Sequence, residues 1–268
     1  MTKQKRHVFF ISDRTGITAE TLGNSLLTQF PKLRFERTFI PFVSDRSSAL
    51  RAVEKIKDNA QKTPLSPIIF STITDPKILA VISNSSPFVF DFFGTFIAPL
   101  EKAFGCKSSR TAGRMHGIQD TGAYESRLNA LNFTLNHDDG LSTNNFHEAD
   151  IVLVGVSRCG KTPTCLYLAM HYSLKAANYP LTSDDFIGDK IPKVLKNSRT
   201  KLFGLTIEPE QLSRIRKERR PHGTYATLET CKKEIKLAEK IFKNEKFDFL
   251  DTSTISIEEI AAVIVQKK

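Results

Sequence analysis

The stretch Asp150-Ile-Val-Leu-Val-Gly155-Val-Ser-Arg-Cys-Gly160-Lys161-Thr162 decides the fold of this chain. Its apolar run, residues 151–154, predicts a buried strand. The run leads into the spacing Gly-x-x-x-x-Gly-Lys-Thr, which is typical of a loop that binds nucleotide phosphates. Residues 163–170 then predict a helix, in which Pro163 is tolerated because the N–H that it lacks has no helical partner in the first turn. An ordinary strand–turn–helix could match by chance, but the strand before and the helix after favour a phosphate-binding loop.

Each residue type in this loop has a physical reason. Its glycines let the backbone turn N–H groups towards an anion, and the positive end of the following helix strengthens that field. Lys161 supplies a charge for the terminal phosphate, and the Thr162 hydroxyl is the candidate ligand for a magnesium ion. The candidate nucleotide-binding residues are Gly155, Val156, Ser157, Arg158, Cys159, Gly160, Lys161 and Thr162.

The composition is that of an ordinary globular protein, with 268 residues, of which 40% are hydrophobic and 25% are charged. This length allows one large or two modest domains. No apolar run approaches the roughly 20 residues that span a bilayer. The basic N-terminus leads directly into the first strand without the apolar region of a signal peptide. A protein without membrane contact is therefore expected.

The net charge of +10 favours anionic partners such as nucleotides, phosphorylated groups or acidic proteins. Nucleic acid is the less favoured partner, because the chain has no RNP motif, zinc finger or basic stripe interleaved with aromatic residues. The widely spaced cysteines, without a Cys-x-x-Cys pair, favour reduced thiols in a cytoplasmic protein over a zinc site or disulfides. These are Cys106, Cys159, Cys165 and Cys231.

Strands and helices alternate along the first hundred residues, as in a parallel sheet with helices on both faces. We expect the first helix, 17–30, to direct one apolar face inward, formed by Ile17, Leu22, Leu26 and Phe30. The predicted strands are 7–11, 34–43, 67–73 and 87–93. The other predicted helices are about 45–58, with Ser44 or Asp45 as the candidate cap, and 77–83, which Asp75 and Pro76 would begin.

The second half of the chain repeats this alternation after the loop. Its further strands are predicted at 176–181, 201–207 and 247–250, and its helices at 209–219, 227–242 and from 256. The sequence thus predicts an α/β protein, with an N-terminal parallel-sheet α/β unit followed by a P-loop kinase-like α/β unit. We place the domains at 1–110 and 149–268, joined by a connecting segment at 111–148 that contains a short helix, 127–135.

Five cations crowd into seven residues of the helix 209–219 and its end, namely Arg214, Arg216, Lys217, Arg219 and Arg220. Arg216 and Arg220 would share one helical face. Such a helix either closes over a transferring phosphoryl group, or forms a solvated basic face or a docking surface for an acidic partner. The sequence leaves these alternatives open.

A hydroxyl acceptor would require a general base. Four carboxylates in turns or after strands are candidates, and the sequence does not choose among them: Asp13, Asp138, Asp139 and Asp251. The strand 201–207 has only Glu208 at its end, so no Walker-B-type aspartate is apparent. Three histidines lack the spacing of a metal site: His116, His137 and His147.

Blocks spread in order over nearly the whole chain resemble the regulatory proteins of pyruvate, phosphate dikinase and phosphoenolpyruvate synthase. The blocks are Ile11–Glu20, Asn132–Gly140, Ala149–Thr164, Leu166–Ala169, Ala176–Pro180, Leu205–Pro209, Ile215–Pro221 and Ser256–Ala261. Together they are far more specific than the phosphate-loop pattern alone. Serine is usual in this family where Cys159 stands, but the backbone N–H matters more than the side chain at that position.

The resemblance implies a bifunctional enzyme that transfers a phosphoryl group from ADP to a threonine beside the catalytic histidine of its target. It also implies the reversal of that mark by inorganic phosphate, with release of pyrophosphate. The implied catalytic residues are Lys161, Asp138 and Asp139, with ADP, phosphate and Mg²⁺ as ligands. The implied target is phosphoenolpyruvate synthase, or else pyruvate, phosphate dikinase, and a homodimer is a candidate assembly.

Two other hypotheses remain open at this point. One is a small-molecule P-loop kinase that uses ATP and a metabolite, which the strand–loop–helix alone would permit. The other is a nucleotide-sensing binding protein without catalysis, motivated by the positive charge. Binding to nucleic acid that survives physiological salt would support the latter, because weak binding by a basic patch falls steeply with salt.

Overall fold

The computed structural model describes residues 5–61, 64–109, 111, 121–140, 145–187 and 190–268. The chain forms two compact units, Met1–Gly117 and Ile118–Lys268. Each unit contains a four-stranded parallel sheet with helices between its strands. The predicted class, one parallel-sheet α/β unit following another, is therefore confirmed.

The first unit has a sheet of order β2-β1-β3-β4 in which all neighbouring strands are parallel. Successive side chains of a strand point to opposite faces of the sheet. Phe9 and Ile11 therefore join a core with residues of α2 and α3, whereas Val8 and Phe10 join a second core on the other face. The elements are β1 Lys5–Ile11, α1 Ile17–Leu27, β2 Arg34–Ile40, α2 Arg46–Ala60, β3 Ile68–Ser71, α3 Pro76–Ser83, β4 Phe88–Asp91 and α4 Phe92–Phe104.

The predicted inward face of α1 is wrong. The side chains expected to be buried are 36–55% exposed, namely Ile17, Leu22, Leu26 and Phe30. The buried positions are instead Ala19, Gly23 and Leu27. A Cβ on Gly23 would lie 2.5 Å from the ring of Phe10 and 2.7 Å from that of Phe70. The absence of a side chain at Gly23 thus lets the helix approach these two rings closely.

The beginnings of α2 and α3 confirm the predicted capping residues. Asp45 accepts a hydrogen bond from the backbone N–H of Ser48 and forms a capping box with it. Asp75 accepts from the N–H of Lys77, with Pro76 in the first turn. The helix α4, by contrast, was not predicted, because one apolar run continues from β4 into its first turn.

The second unit has a parallel sheet of order β6-β5-β7-β8. The central strand β5 is buried along its whole length, as its continuous apolar run predicts. The strands are β5 Ile151–Val156, β6 Ala176–Leu181, β7 Leu202–Thr206 and β8 Phe249–Asp251. The helices are α5 Thr121–Asn136, α6 Lys161–Tyr172, α7 Pro209–Arg219, α8 Leu228–Glu245 and α9 Ile257–Lys267.

The helix predicted at 127–135 is longer and belongs to the second unit. It forms α5, which packs against α6 and β6. The Thr134 hydroxyl donates to the carbonyl oxygen of Ala176 at 2.8 Å. The described part of the segment 118–148 is thus an integral layer of the second unit rather than a connection between domains. The turn that follows α5 is thereby held next to β6.

The loop after β5 lies at the point where the order of the strands reverses in the sheet. The chain passes from β5 to β6 on one side and later returns to β7 on the other side. In open parallel sheets, a crevice at the carboxyl ends of the strands forms at such a point and commonly holds the ligand. The fold therefore directs attention to the segment between Val156 and Lys161.

Candidate phosphate-binding site

The loop between β5 and α6 has two residues in the left-handed region of backbone conformation. Arg158 has a φ of 77° and Gly160 a φ of 92°, values that non-glycine residues rarely adopt. The helix α6 begins directly afterwards at Lys161, and no side chain caps its first N–H groups. These N–H groups and the positive end of the helix dipole are available to an anion.

Neighbouring elements fix both ends of this loop. A Cβ on Gly155 would lie 2.4 Å from the carbonyl oxygen of Leu205 in β7, so the close approach of the two strands requires glycine there. On the far side, the hydroxyl of Thr252, which follows β8, lies 3.2 Å from the carbonyl oxygen of Cys159 and 3.0 Å from that of Thr206. The loop is thus held at one end by β7 and at the other by the residue that follows β8.

Lys161 carries a buried positive charge at the base of a small cavity. Its side chain is 3% exposed, and Nζ donates to the carbonyl oxygen of Val156 at 2.8 Å. No described carboxylate forms an ion pair with it. The cavity has a volume of about 200 Å³ and is here called the loop cavity; its lining residues are Asp139, Ser157, Arg158, Gly160, Lys161, Thr162 and Pro163. A buried charge without a counter-ion is costly, so the cavity is suited to an anion.

Three polar side chains meet beside Lys161. The Thr162 hydroxyl donates to Oδ1 of Asp138 at 2.8 Å. The Asn178 amide donates to the same Oδ1 and, at 3.2 Å, to Oγ1 of Thr162. The side-chain oxygen Oδ1 of Asn178 accepts from the backbone N–H of Asp139 at 3.1 Å, which ties the turn after α5 to β6. Asn178 was missed in the sequence analysis, although a lone asparagine in an otherwise apolar strand is a usable signal.

The Thr162–Asp138 pair fits a magnesium ion. Mg²⁺ is usually held in proteins by one or two carboxylates together with substrate phosphates and waters. Thr162 and Asp138 would supply one hydroxyl and one carboxylate next to the cavity that is suited to phosphate. Among the described residues, no cluster of three or more His, Cys, Asp or Glu side chains could hold a metal by itself. The pair therefore suits an ion that arrives with a nucleotide.

The structure separates the four candidate bases. Asp139 lines the loop cavity, and Asp138 contacts Thr162. Asp13, in the first unit, accepts hydrogen bonds from the N–H and the hydroxyl of Thr74. Asp251 accepts from Ser253 and does not line the loop cavity.

The histidines do not contribute to the loop cavity in the described part of the chain. His137 is buried, with Nδ1 2.7 Å from the carbonyl oxygen of Phe133 and its ring stacked on Phe133 at 4.0 Å. His147 is exposed and lies 3.9 Å from a carboxylate oxygen of Glu148. His116 lies outside the described residues.

One of the sequence hypotheses places Arg216 over the transferring phosphoryl group. In the structure this residue does not line the loop cavity but lies behind the loop. It is 1% exposed, and its guanidinium donates to the Ser157 carbonyl oxygen through Nη2 at 3.1 Å. It also donates to the carbonyl oxygen of Tyr225 at 3.0 Å and forms an ion pair with Glu234 at 2.7 Å. The ring of Tyr225 lies 4.1 Å from the guanidinium carbon. Arg216 is therefore a positioning residue for the loop backbone.

The other arginines at the end of α7 line a second cavity. It has a volume of about 220 Å³ and is here called the arginine cavity; its lining residues are Ser157, Arg158, Arg216, Arg219, Arg220 and Tyr225. Arg214 and Lys217, from the same helix, line neither cavity. The buried Arg216 thus lines the arginine cavity together with the exposed Arg219 and Arg220, whereas Arg214 and Lys217 are exposed outside both cavities.

We expect Arg216→Ala to lower the free energy of unfolding by about 3 kcal/mol, because it leaves Glu234 and the Ser157 carbonyl oxygen without their partner. Urea denaturation of the purified chain measures this change. Arg214→Ala removes the same charge from an exposed position of the same helix and should change stability by less than about 0.5 kcal/mol. Equal losses in the two variants would contradict the positioning role of Arg216.

Burial keeps two cysteines, one in the loop and one in α6, as neutral thiols. Desolvation is the main cause that raises the pKa of Cys159, and the nearby Lys161 only partly opposes it. Burial likewise raises the pKa of Cys165, whose Sγ lies 3.5 Å from the carbonyl oxygen of Ala177. Both residues are 1% exposed. Neither thiol is therefore suited to act as a nucleophile at neutral pH.

Iodoacetamide at pH 8 should accordingly modify the exposed Cys106 of the native chain and leave Cys159 and Cys165 unmodified. Both buried residues should react after denaturation in urea, which exposes the thiols and returns their pKa to the ordinary range. Peptide mass mapping of the alkylated protein provides the measurement. Rapid labelling of Cys159 in the native chain would show that the loop opens in solution.

The parallel sheet, the glycine-containing turn and the buried lysine at the start of α6 define an α/β protein with a loop whose geometry is suited to an anion. Residues 8–265 match the family described as kinase/pyrophosphorylase. The chain therefore belongs to the kinase/pyrophosphorylase family.

Curated relatives match over nearly their whole length. A protein of Azoarcus sp. (strain BH72) is 50% identical over 262 residues, which cover 97% of this chain and 95% of that protein. One of Alkalilimnicola ehrlichii is 48% identical, covering 100% and 97%, and one of Halorhodospira halophila is 49% identical, covering 98% and 96%. All three are named "Putative phosphoenolpyruvate synthase regulatory protein". In the described part of this chain, no helix has the length and apolar character needed to cross a membrane.

Proposed function

We propose that this chain is a bifunctional enzyme that phosphorylates a threonine of phosphoenolpyruvate synthase from ADP and removes that phosphate by phosphorolysis. The observation that carries the proposal is the buried Lys161 without a carboxylate partner, beside the Thr162–Asp138 pair. Family membership supports the kinase and pyrophosphorylase chemistry. The names of the relatives support the synthase as the target, and the resemblance of the sequence blocks supports ADP as the donor.

In the forward reaction, the threonine oxygen forms a bond to the β-phosphorus of ADP while the bond from that phosphorus to the bridging oxygen breaks. AMP leaves, and the threonine proton passes to a carboxylate of the enzyme. Lys161 and the N–H groups at the start of α6 hold the transferred phosphoryl group by neutralising its charge. A magnesium ion at Thr162 and Asp138 would supply further neutralisation when bound.

The two neighbouring aspartates divide the remaining tasks in this proposal. Asp138 accepts hydrogen bonds from Thr162 and Asn178, which hold its carboxylate where the magnesium ion would bind. Asp139 lines the loop cavity beside Lys161, which suits its carboxylate to accept the proton of the threonine hydroxyl. In the phosphorolysis, an oxygen of inorganic phosphate forms a bond to the phosphorus of the phosphothreonine, and the bond from that phosphorus to the threonine oxygen breaks. Pyrophosphate is formed, and the same residues return a proton to the threonine oxygen.

Incubation of the purified chain with purified synthase and ADP tests this function. We expect one phosphorylated threonine by mass mapping, and its loss with release of pyrophosphate after addition of inorganic phosphate. Labelling from ATP, but not from ADP freed of ATP, would contradict the central claim. Turnover of ATP with a panel of metabolites in the absence of a protein target would instead support a small-molecule kinase.

The target and the assembly are parts of the same proposal. A parallel incubation with pyruvate, phosphate dikinase distinguishes the two candidate targets. Because the synthase is an enzyme of central metabolism, we place the chain in the cytoplasm with it. We also propose a homodimer, which sedimentation of the purified chain would test by giving twice the mass of a single chain.

A further inference from the structure

The loop cavity and the arginine cavity adjoin the same turn of the chain. Ser157 and Arg158 line both of them. Lys161 lines only the first, whereas Arg219 and Arg220 line only the second. The two cavities therefore adjoin each other at two shared residues, and each contains cations that the other lacks.

The positive charge of the arginine cavity is largely uncompensated. Arg216 is neutralised by Glu234. Arg158, Arg219 and Arg220, however, have no side-chain hydrogen bond or ion pair within the part of the chain that the structure describes. No carboxylate is among the lining residues. These three side chains are exposed, so solvent screens their mutual repulsion, but an anion placed between them would be attracted by all three charges.

A structural role explains only part of this arrangement. A cation in the last turn of α7 stabilises the helix dipole, which accounts for Arg219. It does not account for Arg158, which belongs to the facing loop and has a φ of 77°. Glycine would adopt this conformation with less strain, so the arginine side chain is retained there at a cost in stability.

We propose that the arginine cavity binds a phosphate group that is separate from the nucleotide. Guanidinium groups bind phosphate oxygens in pairs with matching geometry. The volume of about 220 Å³ is sufficient for a phosphate group, and the guanidinium and hydroxyl groups that line the cavity match its oxygens. The Ser157 hydroxyl accepts from Tyr225 at 2.9 Å and keeps its own proton for a ligand.

The site explains how one loop serves two phosphate-bearing ligands at once. In the proposed phosphorolysis, one phosphate group occupies the loop cavity and the other occupies the arginine cavity, next to the shared residues Ser157 and Arg158. The second phosphate is either inorganic phosphate or the phosphothreonine of a protein, which have the same oxyanion chemistry. The choice between these sources rests on the function proposed above, whereas the existence of the site does not.

Titration of the full-length chain with inorganic phosphate, at saturating ADP, tests the site by calorimetry. The double variant Arg219→Gln/Arg220→Gln should bind phosphate at least about tenfold more weakly, because each charge-assisted hydrogen bond contributes about that factor. Its affinity for ADP should stay within about twofold of the unaltered chain. The matched control Arg214→Gln, from the same helix but outside both cavities, should change neither affinity. A second titration uses a phosphothreonine peptide.

Weaker binding of phosphate alone assigns the site to the free ion, and weaker binding of the peptide alone assigns it to phosphothreonine. The proposal is overturned if the unaltered chain binds neither probe, or if the double variant binds both as well as the control does. An equal loss of ADP affinity also overturns it, because the arginines would then serve the nucleotide. No catalysis is measured, so failure of the proposed kinase reaction would leave this result intact.

Discussion

Replacing Lys161 by methionine should lower the rates of both proposed reactions by about 10²–10³-fold, the usual effect of removing one group that stabilises charge in the transition state. The change removes the buried charge in the loop cavity but keeps most of the side-chain volume. The forward rate is measured as threonine phosphorylation from ADP, and the reverse rate as release of pyrophosphate. Both should fall together, because one lysine serves both directions.

The matched control for this variant is Lys236→Met, at an exposed position of α8, which should leave both rates unchanged. Melting temperatures of the two variants and of the unaltered chain verify that each is folded. A folded Lys161→Met variant that keeps full activity in either direction would show that the loop cavity is not where that reaction occurs.

Asp139→Asn is expected to lower the forward rate by about 10²–10⁴-fold, the range that a general base contributes. The variant should fold normally, because asparagine tolerates the left-handed backbone that Asp139 adopts, with a φ of 48°. The concentration of Mg²⁺ needed for half-maximal activity should not change, since this carboxylate is assigned to the proton rather than to the metal. Initial rates over a magnesium titration provide both measurements.

Asp138→Asn is the informative comparison, because it neutralises the adjacent carboxylate without changing its size. We expect this variant to require about 10–100-fold more Mg²⁺ and to recover activity when that concentration is supplied. The reverse pattern, with a metal effect at Asp139 and a proton effect at Asp138, would exchange the two assignments. No effect in either variant would exclude both residues as the base.

The features that the sequence predicted well are local ones. The assignment of Gly155–Thr162 to a nucleotide stays a prediction. The succession of β5, a turn and α6 is confirmed, because it depends on residues that are neighbours along the chain. The caps at Asp45 and Asp75 are confirmed for the same reason. The inward face of α1 is the opposite case, since apolar periodicity does not reveal that the Phe10 and Phe70 rings demand a close approach at Gly23.

The residues that support the site act through tertiary contacts, so their roles were harder to predict from the sequence. Asn178 reaches Asp138 from the strand β6, 40 residues further along the chain. Arg216 looked like a partner for phosphate because its neighbours in sequence are basic, yet its position relative to α8 directs it to Glu234. The packing of α7 on α8 gives Arg216 a different environment from Arg219 and Arg220, and this packing is not visible in the sequence.

The hydrogen bonds that hold the loop backbone come from residues far along the chain, so the site can be completed only late during synthesis of the protein. The Ser157 carbonyl oxygen is held by a residue 59 positions later, and that of Cys159 by one 93 positions later. When synthesis has reached Thr162, the whole nucleotide motif is therefore present in the growing chain. The later residues that hold the loop in its shape, Arg216 and Thr252, have not yet been added. Nucleotide binding should begin only when almost all of the second unit has emerged, which makes it a reporter of finished chains.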